Sequence, residues 1–271
     1  MQPGPPARCG GRRAIIAAVL AAVAVAGCAI PGLPSGSSPS PSPTGSAAGS
    51  SASSPPPARP DFTVRGSVPV TPTSSQDTHA QSGGTCPHQR LRRYQAVGQA
   101  TVFGFTSTGA PTAGTLLSHF LAGSGTAVRF GAGSQVARQV RASRVFRALN
   151  TAVQSRVLAR LRAGQRHVQL AGSELAPPLF GSGGSQDLYL SFRGTQGLTI
   201  QGSGTLSRGR YAGHLTYVIR DSYGFSASDR LRGVGTAMRY LQTTCGHPPV
   251  SGGAHWFPDS VTVTVPFRHR R

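Results

Sequence analysis

Asp221, Asp229 and His255 are the residues of this chain whose types suit acid–base chemistry. Asp221 lies in Arg220-Asp-Ser-Tyr-Gly-Phe225, at the end of an alternating apolar segment, and Asp229 follows shortly after. A carboxylate at a strand end, with a second carboxylate or an imidazole beside it, can take a proton from water or hold a metal at a phosphate site. That is a hydrolase arrangement. A structural reading stands beside it: Asp221 caps a turn and pairs with Arg220 or Arg230, while Tyr223 and Phe225 fill the core.

Other chemistries are excluded by inspection. The chain has no Lys, so it has neither a Walker phosphate loop nor a lysine Schiff base. Its single Glu is Glu174, so no His-Glu-x-x-His zinc motif occurs, and no Ser has glycines at both two-residue offsets. The histidines are scattered without metal-ligand spacing and no Cys-x-x-Cys is present, so no metal or other cofactor is expected. In His255-Trp-Phe-Pro-Asp259 the proline and preceding glycines indicate a loop, with Trp256 docking it onto the core.

Cys28 carries a different chemistry. Arg12 and Arg13 precede fourteen uncharged residues, Ala14 to Gly27, which end in Val25-Ala26-Gly27 immediately before Cys28. A basic start, a short apolar run and small residues at a cut site are an export signal, and the cysteine after the cut is a nucleophile for lipid attachment. The run is shorter than the roughly 20 residues a spanning helix needs. Residues 1–27 are thus expected to be a cleaved signal, with lipid on Cys28 tethering the chain to the outer face of a bacterial cytoplasmic membrane. Residues 28–60 carry a single charge, Arg59, among Ser, Pro, Gly, Ala and Thr, a composition expected to remain a disordered tether. Export places Cys86 and Cys245 in an oxidising space, where a disulfide between them is expected.

Charge supplies the second functional lead. The 27 basic side chains are all Arg, set against 7 acidic residues, for a formal net charge of +20. Abundant Ala, Gly, Pro and Arg with no Lys also fits a GC-rich coding sequence. The distribution is uneven: twelve arginines, from Arg90 to Arg166, fall between Asp77 and Glu174 with no carboxylate among them. Guanidinium binds phosphate and carboxylate in a bidentate fork, so Arg138, Arg141, Arg144 and Arg147 are candidates for binding an anionic lipid, wall polymer or envelope protein. No aromatic-interleaved basic motif is present, and nucleic acid is not an expected partner.

These residues need a scaffold of about 210 residues, 61–271, read as one α+β domain: an antiparallel sheet packed against one long amphipathic helix and shorter helices. Residues 62–70 and 94–105 read as strands from their β-branched and aromatic content. A helix is predicted over 111–121, with Pro111 near its start and Gly123 past its end. The long helix is predicted over 134–163, with Ser134 as N-cap, Gly164 as terminator, and Ala142, Phe146, Leu149, Val153 and Val157 as its apolar stripe. Period-two alternation from Asp187 through Ile219 predicts a β-meander with a turn at Ser207-Arg-Gly-Arg210. A helix over 228–243 and a closing strand over 261–265 complete the set.

Three segments, Phe192-Arg-Gly-Thr-Gln-Gly197, Arg220-Asp-Ser-Tyr-Gly-Phe225 and Gly252-Gly-Ala-His-Trp-Phe-Pro-Asp-Ser-Val-Thr-Val-Thr-Val-Pro-Phe267, together with the pattern at Cys28, resemble a group of uncharacterised actinobacterial lipoproteins. The resemblance spans most of residues 94–267. It implies an exported, membrane-tethered domain and assigns no catalytic residue. Two functions remain in view: a non-enzymatic domain that binds an anionic envelope component or partner protein, and an envelope hydrolase using Asp221, Asp229 and His255.

Overall fold

The computed structural model describes residues 59–70, 85–193, 195–226, 233–246 and 253–271. Cys28, the signal segment, residues 28–58 of the tether, Asp229 and the first residues of the helix predicted over 228–243 lie outside them.

Six strands form one mixed, mostly antiparallel sheet: β1 (Phe62–Val68), β2 (Val128–Phe130), β3 (His167–Leu170), β4 (Gly197–Ser207), β5 (Arg210–Tyr223) and β6 (Phe257–Arg270). Their spatial order is β2-β6-β5-β4-β1-β3, with the two edge strands parallel to their neighbours. The centre is a long hairpin. Arg208 and Gly209 both take positive φ (48° and 69°), as a two-residue turn of matching twist requires, and β4 and β5 then pair from Ser207–Arg210 to Gly197–Arg220. Gly204 opposes Gly213 within it. A Cβ on Gly204 would stand 2.5 Å from the Phe62 ring, so the missing side chain is what lets Phe62 cover the hairpin.

Six helices accompany the sheet among the described residues: α1 (His88–Ser107), α2 (Pro111–Leu121), α3 (Gln135–Ala142), α4 (Arg144–Arg162), α5 (Gln186–Phe192) and α6 (Val234–Tyr240), the last running on into a π-helical turn to Cys245. Helix α2 matches the predicted bounds; other segments depart from expectation. Residues 94–105 are helical, not a strand. Leu91, Gly98, Thr101 and Phe105 are buried at helical spacing, and a Cβ on Gly98 would meet the Leu121 side chain at 2.8 Å. Close approach of α1 to α2 therefore overrides the β propensity of Val97, Thr101, Val102 and Phe103.

The predicted long helix is interrupted at Ser143, whose φ of −68° and ψ of 145° are extended. Ser134 caps α3 by accepting from the Ala137 amide, as expected, and Ser143 caps α4 by accepting from the Phe146 amide while donating to the Val140 carbonyl. A serine that satisfies both broken ends offers the chain an alternative to helix continuation. The break gives each helix its own buried stripe, Val136, Ala137 and Val140 on one and Phe146, Val153, Val157 and Leu161 on the other. Ala142 is left exposed.

Residues 186–192 also form a helix where alternation predicted a strand. Ser185 caps it, and Asp187, Leu188, Ser191 and Phe192 share its buried face. Seven residues fit either period, and the cap decides between them.

All six helices cover one side of the sheet. On that side Phe62, Val64, Leu198, Ile200, Leu215, Tyr217, Ile219, Val261, Val263, Val265 and Phe267 join α3, α4 and α5 in one apolar cluster. A second cluster joins α1, α2 and α6 to Tyr223, Phe225 and Phe257. Cys86 and Cys245 stand at disulfide distance (S–S 2.06 Å, Cα–Cα 5.2 Å), tying the start of α1 to the end of the π-helical turn.

Candidate functional site

The carboxylates and guanidiniums of this chain are sorted to opposite places. Asp187, Asp221 and Asp259 are 2%, 6% and 3% exposed, so three of the 7 acidic residues lie inside the fold. Two more are engaged at the surface: Asp61 accepts from the Leu206 amide, and Glu174 accepts from the Ala171 amide and pairs with Arg160 at 2.6 Å. The Ala171 amide and the Arg160 guanidinium hold Glu174 below the usual carboxylate range.

Against this, Arg138, Arg141, Arg144 and Arg147 are all exposed. Arg138 donates to the carbonyl of Gly133 at 2.7 Å, and the other three have no hydrogen-bond or ion-pair partner among the described residues. The Ser143 break sets Arg138 and Arg141 on α3 and Arg144 and Arg147 on α4, each exposed and outside the buried stripe of its helix, a ridge of positive charge along the chain from 138 to 147. The later arginines of α4 are committed elsewhere: Arg156 donates to the Glu174 carbonyl, Arg160 to the Gln169 carbonyl, and Arg162 to the Arg270 carbonyl. Arg160 thus binds the 167–174 segment through Gln169 and Glu174.

The candidate catalytic residues are distributed differently from the expected cluster. Asp221 lies on β5 facing the core, and its cross-strand partner is Asp259. His255 is exposed in the segment before β6, its backbone amide donating to the Phe120 carbonyl at 3.4 Å. Trp256 beside it is half-buried and not fully enclosed. Asp259 was missed as a partner for Asp221 although parity supplies a signal: it lies two, four and six residues before Val261, Val263 and Val265 on the buried side of β6.

The Asp221–Asp259 pair separates the two apolar clusters. Ile219 and Val261 lie on one side along the strands, Tyr223 and Phe257 on the other, the last two stacked with ring centroids 5.4 Å apart. Both oxygens of Asp259 are buried and accept no hydrogen bond among the described residues. Burial first, and the neighbouring Asp221 second, push the Asp259 carboxyl well above the usual carboxylate range. Burial also raises the Tyr223 phenol, with the charge of Asp259 adding to it. A general base must also reach its substrate, and apolar rings and aliphatic side chains close Asp259 from both directions along the sheet.

The opposite side of the sheet carries no described helix. The row Gln169-Arg65-Gln201-Thr216-Thr264 crosses it in register from β3 through β1, β4 and β5 to β6. Arg65, Gln169 and Gln201 are exposed, and the threonines half-exposed with hydroxyls 3.2 Å apart. Arg220 on the same side donates to the Thr199 hydroxyl at 2.5 Å. Among the described residues there is no group of three or more His, Cys, Asp or Glu able to hold a metal, and no helix long and apolar enough to cross a membrane.

No protein-family model, curated protein or solved structure matches this chain.

Proposed function

We propose that this chain is an exported, lipid-anchored, non-enzymatic binding domain for an anionic component of the bacterial envelope. The observation that carries the reading is the sorting of charge, with Asp187, Asp221 and Asp259 buried while Arg138, Arg141, Arg144 and Arg147 are exposed together. Burying acids strips the surface of local counter-charges, so these guanidiniums meet solvent or external anions. The export pattern ending at Cys28 supports the envelope as the place where those anions are found.

The test is co-sedimentation of the mature chain with isolated envelope material at low and high salt. Each basic side chain near an anionic surface contributes about 1 kcal/mol, so replacing the four ridge arginines by Gln weakens low-salt binding by roughly a hundredfold or more. High salt abolishes the difference through screening. Binding that is indifferent to both salt and the four substitutions overturns the reading. Anchoring is tested separately: a Cys28→Ser variant leaves the membrane fraction, and its retention there would count against lipid attachment.

A further inference from the structure

The side of the sheet that carries no described helix is a second, chemically distinct surface. The fold presents it because β5 and β6 alternate strictly, with Leu215, Tyr217 and Ile219 turned to the helices and His214, Thr216, Val218 and Arg220 turned away. Hydroxyls and amides dominate, joined by Arg65 on β1, next to the β3 edge, and by Arg220 on β5 and Arg129 on β2, which share one register row through Ser260. Asp221 and Asp259 lie on β5 and β6 but point inward, and Asp61, which shares the parity of Thr63 and Arg65 just before β1, already accepts from the Leu206 amide.

We infer that this side of the sheet binds an anionic polyol polymer, a chain of hydroxylated units joined by phosphodiesters. The inference rests on the anionic-envelope reading and names a ligand class and a surface for it. Charge complementarity selects the anion, since phosphodiesters would find the guanidiniums of Arg65, Arg129 and Arg220 here against the single carboxylate of Asp61, which is held by the Leu206 amide. The hydroxyl and amide rows select the polyol: Thr216, Thr264 and Gln201 both donate and accept, and so match hydroxyl groups between the phosphates. Five strands about 4.8 Å apart make each row nearly 20 Å wide, room for several repeating units in extended contact.

The same composition disfavours other occupants. Among the described strands Val218 is the only large aliphatic residue of the central rows, and no Phe, Tyr or Trp lies on this side, its rings being the imidazoles of His214 and His167. A protein interface lacks its usual anchors there, a bilayer has nothing to receive, and neutral sugar rings have no stacking platform. A second copy of the chain would set arginine against arginine.

The experiment measures binding of the mature chain to a synthetic glycerol-phosphate oligomer, with inorganic polyphosphate and neutral dextran as comparators. The wild type is expected to prefer the glycerol-phosphate oligomer to both. Arg65→Gln combined with Thr216→Val and Thr264→Val should weaken that binding at least tenfold, while the four-arginine ridge variant retains the preference. Arg65→Gln alone, at an exposed side chain, repeats the test should the triple variant fold poorly, with a smaller loss in the same direction. Equal affinity for polyphosphate, unchanged binding in the sheet variants, or a dimer dissociated by Arg65→Gln would each overturn the inference. If envelope binding persists with the ridge dependence alone, only this inference fails; if salt-sensitive envelope binding is absent altogether, the broader reading fails too.

Discussion

Asp221 and Asp259 are cross-strand neighbours on the buried side of the sheet, the one place where two carboxyl-bearing residues oppose each other in the described pairing. Their position between two apolar clusters makes ionisation costly, and that cost has a sign. Asp259 has a folded-state pKa raised above its ordinary value of 3.8. Above that ordinary value the unfolded chain releases the proton while the folded chain keeps it. The folded state therefore binds more protons, and this group's contribution to stability falls as pH rises from 3.8 through the folded-state value.

Replacing Asp259 by Asn removes the ionisation and nearly preserves the shape of the protonated side chain. The variant is expected to be more stable than wild type at neutral pH, because it escapes the cost, about 1.4 kcal/mol for each pH unit between the unfolded and folded pKa values, of keeping a proton that the unfolded chain has released. Denaturant unfolding of both proteins at about pH 4 and about pH 8 measures it. The difference between them should widen with pH; a difference that is constant or narrows contradicts the assignment.

Ser143 makes the boundary between α3 and α4 and satisfies groups on both sides of it. Ser143→Ala removes the acceptor for the Phe146 amide and the donor for the Val140 carbonyl, with an expected loss of about 0.5–2 kcal/mol. The denaturant midpoint should fall while the slope of the transition stays unchanged. A variant as stable as wild type would show that apolar packing alone places the break.

Cys86 and Cys245 are separated by 159 positions in sequence. In the chain-entropy account, cross-linking a loop of that length stabilises the fold by about 4–5 kcal/mol. The Cys86→Ser, Cys245→Ser double variant should unfold at clearly lower denaturant than the oxidised wild type, and reductant should shift the wild type towards it. Thiol titration of the unfolded, unreduced chain that finds both cysteines free would remove the basis for this expectation.

Local chemistry made a good part of the scaffold legible. Pro111 near its start and Gly123 past its end marked α2; the Arg208-Gly209 turn and flanking alternation marked the β4–β5 hairpin; the alternation over 261–265 marked β6. These features depend on neighbours a few residues away, so spacing and backbone preference suffice. The exposed arginines of α3 and α4 were legible as candidates for the same reason: a helical stripe leaves the remaining positions outward.

Only the tertiary structure decided the rest. The β-branched and aromatic residues of 94–105 favour a strand in isolation, and the contact of Gly98 with Leu121 makes them a helix. Residues 186–192 satisfy both periods, and burial of Asp187 against the Ala113 amide at 2.9 Å belongs to the helical one. The Asp221–Asp259 pairing depends on a register spanning almost forty residues, which no local pattern encodes. The sequence by itself determined how many charges this protein carries and of which sign. Folding decided that Asp187, Asp221 and Asp259 go in while Arg138, Arg141, Arg144 and Arg147 stay out, because burial of a carboxyl is settled by what packs against it and not by its neighbours in the chain.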